Sequence, residues 1–168
     1  MSQVIRNRRV EDDLWQTLAG DATHIPAGPV IVPLGLWKAR REELLAHRRP
    51  VGVWLAPEEE PAEIAGDLAH LSIVAVHFPK WGEGRGYSTA ALLRRRFGWR
   101  GELRAFGELG RDHVFHLARV GFDSIRLGER HDPHAALAAF HDFSLRYQGS
   151  VDDPVPLFRK RAAGAGLQ

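Results

Sequence analysis

Short apolar runs alternate with helix-like segments five times along this chain, and that rhythm restricts the fold more than any other feature. The runs are 29–35 (PVIVPLG), 51–56 (VGVWLA), 72–78 (SIVAVHF), 101–107 (GELRAFG) and 122–128 (FDSIRLG). Between and after them, residues 36–48, 58–71, 88–98, 111–121 and 132–147 carry helical spacing or helix-end signals. Ser88 is an expected N-cap, Gly98 and Gly121 are expected helix stops, and Pro133 sits in an expected first turn. Strand–helix alternation of this kind predicts parallel strands joined by right-handed crossovers. Two α/β architectures satisfy it, an open doubly wound sheet and a partial β/α barrel. A full eight-unit barrel needs about 250 residues, and this chain has 168. The open sheet is the preferred expectation, as one domain over 29–148. Residues 1–28 are expected to form an N-terminal arm or hairpin over one edge, and 149–168 an extended or disordered basic tail.

The chain has no cysteine, which removes disulfides, thiolate nucleophiles and cysteine metal ligands together. Net charge is only +2, so the overall field does not force nucleic-acid binding. The segment MSQVIRNRRVEDD is polar and lacks the apolar centre of a signal peptide. No apolar run approaches the roughly 20 residues of a membrane helix. A cytoplasmic protein without a membrane partner is the expectation.

In parallel α/β folds the loops leaving the carboxyl ends of the strands form the site. Residues 79–87 leave the third run and lead into a helix, with glycines at 82, 84 and 86 around Arg85. Glycine-rich backbone amides and a helix start bind anions, and a guanidinium fork suits phosphate, sulfate or carboxylate. Lys80, Gly84, Arg85, Gly86 and Ser88 are therefore the candidate anion set, with Arg104 of the fourth run as a further cation. Tyr87 stands where the dinucleotide fingerprint needs glycine, and no Gly-Lys-Ser/Thr follows as in a phosphate loop. The structural alternative is a tight turn with Arg85 solvated or paired to Glu83. Arg104 has its own alternative, pairing with Glu102. Glu108 and Asp112, leaving the fourth run, are acid/base candidates with Tyr87; the structural alternative for the two acids is favourable charge at a helix start. His113 and His116, three apart, are too sparse a set to predict a metal. Trp81 is placed to stack on a ligand ring.

The stretch FPKWGEGRGYSTAALLRRRFGWRGELRAFGELGRDHVFHLARVGFDSIRL resembles the bacterial family called domain of unknown function 934, as do VIVPLGLW before it and DFSLRYQ after it. On this resemblance Arg85, Gly86, Tyr87, Ser88, Arg94, Glu102, Leu103, Arg104 and Asp112 hold the family's positions. Trp81, Glu83, Glu108, His113 and Val120 depart from its usual phenylalanine, aspartate, aspartate, glutamine and cysteine. Members are commonly labelled oxidoreductases of sulfite reduction, which implies a role in sulfur assimilation beside assimilatory sulfite reductase. No cofactor is identified, and redox chemistry here would require a borrowed one. The competing readings are an enzyme that binds a small anion or anionic cofactor, a non-catalytic accessory docking sulfite reductase through its basic helix 88–100 and tail, and a flavin or nucleotide binder.

Overall fold

A computed structural model describes residues 2–142, and the expected basic tail lies outside them. The described residues form one eight-stranded sheet. In chain order the strands are β1 (Gln3–Arg6), β2 (Arg9–Asp12), β3 (Gln16–Thr17), β4 (Val30–Pro33), β5 (Val51–Leu55), β6 (Ile73–Phe78), β7 (Glu102–Gly107) and β8 (Ser124–Arg126). Between them lie α1 (Leu34–Ala39), α2 (Arg41–Leu45), a 3-10 helix Pro61–His70, α3 (Arg85–Arg95) and α4 (Arg111–Val120). After β8 come α5 (Pro133–Ala136) and a second 3-10 helix, Leu137–His141.

The five expected runs are β4 to β8, and each pairs in parallel with the next. The strand order, β2-β1-β8-β7-β6-β5-β4-β3, runs from β4 to β8 without reversal. A doubly wound sheet reverses at a switch point. This sheet has none, and of the two expected α/β arrangements it is the partial barrel.

Chain length makes the curl obligatory. Only residues 13–15 join β2 at one edge to β3 at the other. Four extended steps reach about 14 Å, whereas seven spacings across a flat sheet span about 34 Å. The two edges must therefore approach each other, and residues 13–18 cross the concave side. Trp15 packs there on Ile31, Ile73, Ala75 and Phe106, and the Trp54 indole donates to the Leu18 carbonyl at 2.8 Å. On the convex side a continuous core joins alternate strand residues, such as Val32, Val53, Val74, Val76, Leu103 and Ala105, to Leu93, Val114 and Leu117 of α3 and α4.

Local chemistry sets the element ends. Asn7 and Arg8 both have positive φ, 49° and 63°, as a two-residue hairpin turn between β1 and β2 requires. Gly121 ends α4 at φ 110°, and Asp132 caps α5 ahead of Pro133 by accepting from the His134 N–H at 2.9 Å. Among the described residues no helix is long and apolar enough to cross a membrane.

Candidate functional site at the carboxyl ends of the strands

The loops after β6, β7 and β8 lie at the same end of the parallel sheet. In the first, α3 begins at Arg85 with Gly84 as N-cap, three residues before the expected start. Ser88 is therefore not the cap: it lies exposed inside the helix. The residue before the cap, Glu83, supplies a carboxylate that accepts the Arg85 N–H at 3.0 Å. Gly86 is buried, and a Cβ there would collide with the Phe78 ring, so glycine lets α3 lie close on β6. Arg85 and Lys80 are exposed, and neither side chain has a hydrogen bond or ion pair among the described residues. The possible Arg85–Glu83 ion pair is thus replaced by a carboxylate-to-backbone bond. Tyr87 is half-buried, edge-on to Phe78 at 5.5 Å between centroids, and burial raises its pKa.

His113 ties this loop to α4. Its Nδ1 accepts the Gly110 N–H at 3.0 Å. That leaves the proton on Nε2, which donates to the Trp81 carbonyl at 2.9 Å. The Trp81 indole packs edge-on to the His113 ring at 4.4 Å and against His131 at 5.6 Å. Trp81, 49% exposed, thus bridges the β6 and β8 loops. His116 faces solvent, and no group of three metal-ligating side chains occurs among the described residues. His113→Ala should cost about 1–3 kcal/mol for its two lost bonds and the Gly110 N–H left without its partner. It should also raise amide exchange in residues 80–84, measured by hydrogen–deuterium exchange.

Beyond β7 and β8 a cleft of about 790 Å³ opens. Glu108, Arg126, Glu129, Arg130 and His131 line it, together with Gln3 of β1. The acid/base candidates are therefore split. Glu108 faces the cleft, Asp112 is exposed on the first turn of α4 and Tyr87 packs under α3; neither of the latter two lines the cleft.

Arg104 is separated from the loop set, and pairing with Glu102 is the alternative that holds. It lies on the concave face, 2% exposed, with its Nη1 2.8 and 3.0 Å from the two Asp13 oxygens. Nη2 reaches Glu102 at 3.0 Å and Nε donates to the Ser124 hydroxyl at 3.0 Å. All three nitrogens are engaged, so Arg104 has no fork left for an anion. Arg94 is likewise structural. It donates to the carbonyls of Trp99, Gly101 and Gly121 at 2.9–3.0 Å and reaches Asp123 at 3.2 Å. Burial pushes the Arg94 pKa down and the Asp123 pKa up.

Sequence reasoning missed His77 and Arg126. Both lie on the concave face at the carboxyl strand ends, in register with Phe106. The signal was period-two spacing: Ile73, Ala75, His77 in one strand and Arg104, Phe106 in the next.

Residues 52–158 match the family described as bacterial protein of unknown function (DUF934). No curated protein matches the chain.

Proposed function

We propose, from the premise that this chain belongs to the DUF934 family, that it serves assimilatory sulfite reduction by binding a small oxyanion or anionic cofactor. The binding groups are those of the loop 79–88: Lys80, Arg85, the backbone amides at Gly84 and Gly86, and Ser88. Glu108 is the acid/base group best placed to act, because it faces the neighbouring cleft. One observation carries the reading. The Arg85 guanidinium stands exposed and without an acidic partner where β6 passes into α3, beside helix-start amides that favour negative charge. The sulfur-assimilation part rests on the labels given to family members.

Thermal shift with sulfite, sulfate and phosphate tests it. A ligand at 100 times its Kd adds about 2.7 kcal/mol. Arg85→Ala should abolish the shift while leaving unliganded stability within about 0.5 kcal/mol, as for other surface changes. A wild-type protein unmoved by all three anions, or an Arg85→Ala variant that still responds, rejects the anion site.

A second reading, a non-catalytic accessory that docks sulfite reductase, draws on Arg95, Arg96 and Arg100. These are exposed at the end of α3 and beyond it, and no acid pairs with them among the described residues. Such a patch steers association with an acidic surface. Capture of sulfite reductase that is lost on Arg95→Glu/Arg96→Glu, without any anion-induced shift, would favour this reading over the first.

A further inference from the structure

Away from the loop 79–88, a row of side chains crosses the concave face where β6, β7 and β8 end. His77, Phe106 and Arg126 stand opposite one another in register. His77 stacks on Phe106 at 4.9 Å between centroids, and the Arg126 guanidinium lies over the same ring at 5.5 Å. Trp54 closes the row, edge-on to His77 at 5.6 Å. Neither the imidazole nor the guanidinium has a hydrogen bond or ion pair among the described residues, although both are half-buried. Arg104, two residues before Phe106, satisfies every nitrogen. Half-exposed, the two groups keep their hydrogen-bonding capacity available. They stand side by side at the carboxyl ends of parallel strands, where α/β folds bind ligands.

The row meets the cleft at Arg126, which belongs to both. His77 stands just behind the cleft wall: a Cβ at Gly107, which lines the cleft, would lie 3.1 Å from His77 Cδ2. Burial is the main cause that lowers the His77 pKa; Arg126 lowers it further and Glu58 raises it. The imidazole is then neutral near pH 7, with one donor and one acceptor to offer. A volume of about 790 Å³ falls in the range of organic-ligand sites and is far larger than a bare oxyanion fills. Arg126 and Arg130 supply two forks of the kind that match phosphate. Glu108 and Glu129 of the same cleft would oppose a second anionic group but accept hydroxyl hydrogens.

We propose that this cleft binds a phosphorylated polyhydroxy compound of the sugar-phosphate class. Arg126 and Arg130 hold its phosphate, His77 hydrogen-bonds its body, and Glu108 and Glu129 take its hydroxyls. The site shares Glu108 with the loop reading but does not use Arg85, which does not line the cleft.

The test is an NMR titration of the histidine imidazoles with ribose 5-phosphate as probe, with His77 assigned from a His77→Gln variant. Ribose 5-phosphate should move the His77 resonances saturably and displace the His77 titration midpoint. Arg126→Gln should weaken the probe at least tenfold, and Arg85→Ala should leave it unchanged. That last arm separates failure of this site from failure of the loop site. If Arg126→Gln does not fold, Arg126→Lys keeps the charge and loses the fork, and should weaken binding severalfold; undiminished affinity would overturn the proposal. His77 resonances unmoved by ribose 5-phosphate would also overturn it. So would an equal response to inorganic phosphate at the same concentration, which would mark a bare-anion pocket.

Discussion

Arg104→Ala is expected to lower the free energy of unfolding by about 3–5 kcal/mol, the cost of breaking a buried ion pair by removing one partner. The substitution leaves Asp13, whose side chain is fully buried, without its counter-charge and takes from Glu102 one of its two arginines, Arg6 remaining at 3.3 Å. It also leaves the Ser124 hydroxyl without its donor. Asp13→Ala should also destabilise, though less, because Arg104 loses its two-oxygen partner and the Trp15 N–H its acceptor while Glu102 still holds the guanidinium. The pair is a charge-neutral unit in an apolar setting, so the double variant Arg104→Met/Asp13→Leu should recover much of the loss. Urea unfolding followed by tryptophan fluorescence measures all three, with Trp15 nearby as a reporter. An Arg104→Ala variant within about 1 kcal/mol of wild type would mean that water reaches this face freely and that the residue is not buried as described.

Gly107→Ala should be the second severe change. Gly107 ends β7 at φ 121°, a conformation that L side chains rarely adopt. A Cβ there would also run into the Phe78 carbonyl oxygen, a backbone atom that cannot swing away. That same oxygen accepts the Glu108 N–H at 2.7 Å, so the turn that aims Glu108 at the cleft depends on the close approach. Strain and overpacking together predict a loss of about 2–5 kcal/mol. Gly82→Ala, two loops away in open space, should stay within about 0.5 kcal/mol. Thermal denaturation of the two variants in parallel decides the matter; equal melting points would refute the steric argument.

The five parallel strands were legible because each is a short apolar run bounded by glycine, proline or charge. Their order was not, for a physical reason. A doubly wound sheet shows apolar residues on both faces because helices cover both. Here the helices cover the convex face and Trp15, with its neighbours, fills the concave one. Ile31, Ile73 and Ala75 are therefore as buried as residues under a second helical layer, and the strands read alike in either architecture. β1 and β2 are short and polar, and their turn uses Asn7-Arg8 rather than the glycine that announces most such hairpins. At the candidate site, the exposure of Arg85 followed from its place in a glycine-rich loop. Arg104 was undecided because its partner Asp13 lies 91 residues away, beyond any local pattern. Ser88 was expected as the cap on residue type alone, whereas the helix begins three residues earlier, with Gly84 as its N-cap.

The arm that crosses the concave side has a consequence for how the molecule assembles. Asp13 and Trp15 leave the ribosome before every strand they rest on, yet their seat exists only after Arg104, Phe106 and Ser124 have been laid down. The β4–β8 repeat can grow by contacts between neighbours in sequence, whereas docking of the arm closes loops of about ninety residues and must wait. Until the arm docks, the concave side is an uncovered apolar trough in which Glu102 of the same strand stands beside Arg104 but Asp13 is missing. That interval is when it most needs protection from aggregation.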